Sequence, residues 1–301
     1  MTVPNIYNLD DQLIPSGNQI STRDIETEIV DSRKLNKEPL ENENGTIVVK
    51  IGGSTLGEHD TTLRDLVSLQ RTGINPIVVH GGGKIISEWM KKQGIKPRFI
   101  NGLRVTDADS LNIAVSVLSG LINKQLVASL LAMGGKAIGL SGADGGMLMA
   151  KLKDRELGFV GDITDVNTKP IEIVLDIGYI PIIAPIAIPD NTVRNLDSSL
   201  LNVNADTAAG YIAAAIKVKQ LVFLTDVEGV MDSSRRLIPR LTERQALGLI
   251  HSNVADGGMI PKLEACLKAF QTGSISKIID GRRPSALMDT LSGKASGTRI
   301  G

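Results

Sequence analysis

Lysines and glycines recur together at the ends of apolar runs in this chain, a pairing suited to holding anions. In Val48-Val49-Lys50-Ile51-Gly52-Gly53-Ser54 a lysine stands inside a β-branched, apolar run. An ammonium group is costly to bury unpaired, so its place beside a glycine turn points to an anion at the strand's end; an edge-strand lysine in water is the plain alternative. Gly52 and Gly53 favour the first reading, because residues without Cβ let backbone N–H groups approach phosphate oxygens closely. Val78-Val79-His80-Gly81-Gly82-Gly83-Lys84 repeats the arrangement with three successive glycines. Their entropic cost exceeds what a simple turn needs and suits a nest for an oxyanion, a structural tight turn being the other option. Neither run has the G-x-x-x-x-G-K-[ST] spacing of a P-loop or the G-x-G-x-x-G spacing of a dinucleotide site. His80 reads as a hydrogen-bonded strand-end residue rather than as a general base.

Asn101-Gly102-Leu103-Arg104-Val105-Thr106 places a guanidinium on a loop before a long helix. Such a group can clamp a carboxylate bidentately, although most loop arginines only face solvent. In Leu201-Asn202-Val203-Asn204-Ala205-Asp206, the two asparagines alternate on one side of an extended segment, and Asp206 caps or leads the helix that follows. This is either an ordinary Asn/Asp turn or a set of two amides and one carboxylate that holds a polar ligand and orients nearby lysines. Gly257-Gly258-Met259-Ile260-Pro261-Lys262 sets a further lysine just after a proline, in the first turn of a helix. A cation there opposes the helix dipole and calls for an anionic partner. Leu224-Thr225-Asp226-Val227-Glu228-Gly229 follows an apolar run and offers either nucleotide contacts or a capped loop.

The hydrophobic pattern supplies a scaffold for these groups. Strand-like runs lie at Thr46–Ile51, Pro76–His80, Ala137–Leu140, Ile180–Ala184, Leu221–Thr225 and Ser276–Asp280, with helical spacing at Leu63–Gln70, Ser110–Met133, Thr168–Ile177, Asp206–Ile216 and Lys262–Thr272. Uniformly apolar strands alternating with helices predict an α/β fold, a three-layer αβα sandwich around a mainly parallel sheet, with ligands beyond the carboxyl ends of its strands. Residues 1–45 are polar and lack any steady period, so they read as a flexible N-terminal arm before a domain spanning 46–301. The segment from about Lys151 to Gly161, with its charged run Lys151–Glu156, suggests an exposed hairpin, and the cluster of Pro185, Pro189, Asp190 and Asn191 suggests a lobe boundary, dividing the domain into 46–190 and 191–301.

Composition narrows the chemistry. With 301 residues, 42% of them hydrophobic, the chain has material for one large α/β body. Lys plus Arg and Asp plus Glu both number 33, so no overall field draws it to nucleic acid or to an anionic membrane, and small-molecule chemistry gains weight. One cysteine, Cys266, and three histidines leave no internal disulfide and no zinc-ligand cluster, and point to the reducing cytoplasm. The first residues lack a signal-peptide pattern. The apolar run Ile180–Ile188 is broken by Pro181 and Pro185 and falls short of the roughly 20 residues of a membrane span.

In order and spacing, from Thr46 to Ile300, these segments resemble the N-acetylglutamate kinase branch of the amino-acid kinase family. The resemblance implies that Lys50, Asp206 and Lys262, matching the lysine of K-[IL]-G-G, the aspartate of N-x-N-A-D and the lysine of G-G-M-x-x-K, form the phosphoryl-transfer set. It assigns phosphate holding to Gly52, Gly53, Gly82 and Gly83, the last two also bordering the acceptor. Acceptor binding falls to Arg104, Asn202 and Asn204, and adenine and ribose contacts fall around Thr225, Asp226 and Gly229. It further implies ATP and Mg2+ as cofactors, N-acetyl-L-glutamate as acceptor, an acceptor-binding and dimerisation lobe at 46–190 and a nucleotide-binding lobe at 191–301. Related readings are a carrier-linked aminoadipate or glutamate kinase, which more often has Thr-Asp-Gly-Asp where this chain has Asn202-Val203-Asn204-Ala205-Asp206, and a non-catalytic arginine or signalling-protein sensor. Lys84 stands where proline is common and Ala143 where lysine is frequent. Residues 1–45 show none of the amphipathic helix that builds hexamers, and Ser292–Gly297 lacks the Phe-Thr-x-x-Gly ending. The expectation is a homodimer without strong arginine feedback, with association to a nitrogen-signalling protein left open.

Overall fold

The β-branched run Ile47–Ile51 is paired in parallel on both edges, with Gln220–Thr225 on one side and Pro76–His80 on the other. It thereby becomes an inner strand of an eight-stranded sheet in the computed structural model, which describes residues 45–52, 61–192, 197–252, 257–294 and 297–301. Across the sheet the order is Arg240–Leu241, Thr298–Ile300, Ile275–Asp280, Gln220–Thr225, Ile47–Ile51, Pro76–His80, Ile180–Ala184 and Ala137–Ser141. Every neighbouring pair is parallel except Ile275–Asp280 with Thr298–Ile300. The arm expected at 1–45 lies almost wholly outside the described residues.

Side chains alternate across a strand, and here the alternation separates two cores. Val48, Ile77, Val79, Leu221, Phe223 and Ile278 pack on one face with Ala208, Ile212, Leu263 and Cys266, from helices Ala205–Ile216 and Met259–Phe270. Ile47, Val49, Val78, Val222 and Leu224 pack on the other with Leu66 of Thr62–Arg71, Met90 of Gly83–Lys92, Leu126 and Leu287. The three-layer sandwich with a mainly parallel sheet is therefore the observed architecture. Each fully buried Leu or Ile contributes roughly 1.5–3 kcal/mol to it.

The long helical segment runs from Ala108 to Ala132, its middle, Ser116–Ile122, wound as a π-helix. Asp107 caps its start, accepting from the Ser110 N–H at 2.9 Å. By length and composition this is the one segment among the described residues apolar enough to cross a membrane. Its Leu111, Ala114, Val117, Leu118, Leu126 and Leu130 are nonetheless buried inside the protein. A smaller sheet joins Leu201–Asn202, Ile186–Pro189, Leu148–Leu152 and Gly161–Val166. The hairpin anticipated around Lys151–Gly161 lies within its antiparallel pair, with Lys151 opposite Asp162. Just after Ile180–Ala184, the segment Ile186–Pro189 forms a further strand, where Ile188 finds a parallel partner in Met149.

Candidate active site

Lys50 shares the sheet face of Val48, the face covered by Ala205–Ile216 and Met259–Phe270. Asn204 is the N-cap of the first of these helices: its Oδ1 accepts from the N–H groups of Asp206 and Thr207 at 2.8 and 3.1 Å. Asp206 thus leads the helix rather than capping it. The second helix begins at Met259, earlier than its proline suggests, so Lys262 completes the first turn. The two helices pack without a side chain between them at Gly210, where a Cβ would lie 2.7 Å from the backbone and side chain of Ala265. A larger residue there would push the helices apart, one turn from Asp206 and just under one from Lys262.

This approach assembles an ion triad. Lys50 Nζ stands 2.8 Å from Asp206 Oδ1 and Lys262 Nζ donates to Asp206 Oδ2 at 3.0 Å, with the Lys50 and Asp206 side chains only 9% and 8% exposed. Lys262 also donates to the Gly258 carbonyl at 3.0 Å. Burial alone would push the Asp206 carboxyl up, but the two adjacent ammonium groups outweigh it and hold the group below the usual carboxylate range. The carboxylate is therefore ionised at neutral pH, and each of its oxygens fixes the direction of one lysine.

Beside the triad opens a cavity of about 220 Å³, lined by Lys50, Asp206, Gly81, Gly82, Gly83, Arg104, Asn202 and Asn204, among others. Arg104 closes a short hairpin, Phe99–Ile100 with Leu103–Arg104, whose turn residues Asn101 and Gly102 have φ of 48° and 78°. Positive φ at both positions is the hairpin geometry that Asn-Gly favours. Contrary to the solvent-facing habit of loop arginines, Arg104 is buried: it lies 4.8 Å over the Phe99 ring and donates to Gly83 O and Ser87 Oγ, each at 2.8 Å. Among the described residues no carboxylate pairs with it, and burial pulls its guanidinium pKa down. Asn202 Nδ2 donates to Thr106 Oγ1 at 3.2 Å. Three helices, starting at Gly83, Ala205 and Met259, bring their N-termini to this region and add positive partial charge. Two lysines and one arginine against a single carboxylate leave the site cationic.

The expected nucleotide residues are placed differently. Gly52, Thr225, Asp226 and Gly229 do not line that cavity, and Gly53 lies outside the described residues. Gly52 N–H donates to Leu224 O at 3.3 Å, which joins the glycine turn to the strand that ends in Thr225. Thr225 itself is buried, its hydroxyl lying within hydrogen-bond distance of two carbonyls of the fold, Val227 O at 2.8 Å and Ile279 O at 3.0 Å. Gly229 has φ of 157°, with Thr298 Oγ1 2.7 Å from where a Cβ would stand. Among the described residues no three His, Cys, Asp or Glu side chains gather as a metal site.

The chain is a phosphotransferase, and it belongs to the amino acid kinase family, whose model matches residues 45–279. It is 41% identical over 257 residues to the acetylglutamate kinase of Dehalococcoides mccartyi, covering 85% of this chain and 94% of that one. It is 44% identical over 266 residues to the acetylglutamate kinase of Caldanaerobacter subterraneus, covering 85% and 87%. A crystal structure of a Streptococcus mutans protein superimposes with a TM-score of 0.71 at 29% identity, over 85% of this chain and 98% of that one.

Proposed function

We propose that this enzyme transfers the γ-phosphoryl group of ATP to the γ-carboxylate of N-acetyl-L-glutamate, giving N-acetyl-L-glutamyl 5-phosphate for arginine biosynthesis. The observation that carries the reading is the buried Asp206 gripped by Lys50 and Lys262 beside a cavity whose Arg104 has no carboxylate partner among the described residues. The relatives named above supply the acceptor's identity.

The acceptor carboxylate is already ionised at neutral pH and needs no general base. One of its oxygens attacks the γ-phosphorus in line; the bond from that phosphorus to the bridging oxygen breaks, and ADP leaves with the electron pair. The barrier is chiefly the approach of an anion to a polyanion, so positioning and charge stabilisation carry the catalysis. Lys50 and Lys262 neutralise the transferring oxygens, and Asp206 holds both ammonium groups in direction. Backbone N–H groups of Gly82 and Gly83 cradle the phosphates, the Gly52 N–H being engaged by Leu224 O instead, while Arg104, Asn202 and Asn204 hold the acceptor. Thr225, Asp226 and Gly229 border the adenine and ribose. Asp206 is engaged by two lysines, so this donor set would admit a magnesium ion only together with the nucleotide, where it would supply neutralisation of phosphate charge. We take the assembly to be a homodimer, which sedimentation would measure.

A hydroxamate assay with ATP, magnesium and N-acetyl-L-glutamate tests the reaction directly. Acyl-phosphate formation with this acid and little with glutamate, aspartate or N-acetylaspartate supports the assignment; binding without product would favour a sensor instead.

A further inference from the structure

His80 lies on the sheet face opposite to Lys50, since Val78 two residues earlier belongs to the core under the long helix. There it meets Asn123, which is fully buried and the first residue after the π stretch. Asn123 Nδ2 lies 2.8 Å from Ile182 O, 3.1 Å from Leu140 O and 3.3 Å from His80 Nε2, and its Oδ1 accepts from Lys124 Nζ at 3.1 Å. Because a carbonyl oxygen only accepts, the 3.1 Å contact from Nδ1 to Gly81 O puts the ring proton on Nδ1 and leaves Nε2 as an acceptor facing the Asn123 amide. Burial, with help from the charges of Lys50 and Lys124, lowers the imidazole pKa to about 4, so the ring is neutral at working pH.

A trans peptide is planar, and its C=O and N–H point in opposite directions. Anchoring Gly81 C=O on the imidazole therefore aims the Gly82 N–H away from the ring. From the helix side, the methyl ends of Leu118 and Ile122 of the π stretch press on Gly82 so closely that a Cβ there would have to displace them. π-turns within α-helices often mark functional sites, and this one seats both the packing wall and Asn123.

We propose that His80 is a positioning residue, fixed as its Nδ1–H form by Asn123, which locks the Gly81–Gly82 peptide so that the loop amides face the transferring phosphate. The inference rests on the phosphate-cradle reading of Gly82 and Gly83. His80→Leu removes the anchor and should lower kcat, per folded enzyme, about 10- to 100-fold, the scale of a misplacement approaching 1 Å. His80→Asn places an amide N–H near the Nδ1–H position and should bring kcat back to within about five-fold of wild type. A purely structural role would instead lower Tm in both variants and leave kcat per folded molecule unchanged. Full kcat in His80→Leu, or no recovery in His80→Asn, overturns the proposal. Should His80→Leu not fold, 15N spectroscopy of the wild-type imidazole decides: a proton on Nδ1 at pH 7 supports the anchor and a proton on Nε2 overturns it. Gly83→Ala separates the two levels. A loss there with none in His80→Leu leaves the cradle standing and removes the anchor, whereas no loss in either overturns both.

Discussion

Gly83→Ala should separate stability from activity. Gly83 opens the helix Gly83–Lys92 with an ordinary backbone conformation, and a Cβ built on it meets nothing nearer than Arg104 Nη2, at 4.0 Å. The protein itself therefore accepts the methyl group. Alanine is favoured over glycine within a helix by about 0.5–1 kcal/mol, and a first-turn position gains toward the lower end, so Tm should hold or rise by about 1–3 °C. Activity should move the other way. A phosphate oxygen seated on an amide lies about 2.9 Å from its nitrogen, and a neighbouring methyl group would displace it by a sizeable fraction of 1 Å. A misplacement of 1 Å costs on the order of 100-fold, so kcat/KM should fall by about 10- to 100-fold in the hydroxamate assay. Gly82→Ala is no substitute, because its methyl would collide with Ile122 and Leu118 and cost about 1–3 kcal/mol through overpacking. A Gly83→Ala enzyme with unchanged kcat/KM and an intact melting curve would refute the idea that this edge of the cleft touches the reactants.

The triad and its neighbours give further outcomes. Lys50→Arg keeps the charge but changes the donor geometry, and kcat should fall by about 100-fold or more in steady-state assays. Lys262→Ala leaves one Asp206 oxygen without its ammonium and should abolish most turnover; near-wild-type kcat would remove Lys262 from the phosphoryl-transfer set. Arg104→Lys cannot keep both 2.8 Å contacts while also forking a carboxylate, so KM for N-acetyl-L-glutamate should rise more than kcat falls. Stability should be acid-sensitive. Below the ordinary histidine pKa of 6.5 the unfolded chain takes up a proton that folded His80 refuses until about pH 4, so the stabilisation present above 6.5 declines across that window, by about 3 kcal/mol at most. Asp206, held below the carboxylate range, loses its contribution only at lower pH still. Urea unfolding at pH 7.5 and 5 should show the drop in wild type and a smaller one in His80→Asn.

Most of the sheet was legible because its inner strands are short, mainly apolar runs without the helical period of the amphipathic segments between them. Helix Gly83–Lys92 was not, since its opening glycines read as turn punctuation and its helical state depends on Ile86 and Met90 finding the core. Helix Glu243–His251 carried an overlooked signal, the Thr242 and Gln245 capping box. Lys50, Asp206 and Lys262 were legible as single candidates, but their convergence was not, because it depends on Gly210 and Ala265, two small residues with no chemistry of their own. A glycine amid alanines in Ala205–Ile216 was the available clue, being costly in a helix unless something must come close. Asn123 left a similar trace, as a carboxamide in a long apolar helix.

The strand period of two also explains how one short stretch of sheet serves both sides of the site. Lys50 points toward the helices that bring Asp206 and Lys262, whereas His80, aligned with Ile51 on the neighbouring strand, points toward the helix that brings Asn123. Charge is thereby set from one face and backbone direction from the other, with the glycine loops between. Neither arrangement requires a group that changes protonation during turnover: Asp206 is held ionised by its lysines and His80 is held neutral by burial. A carboxylate acceptor suits such a site, because it reaches the phosphorus already charged and asks only to be aimed.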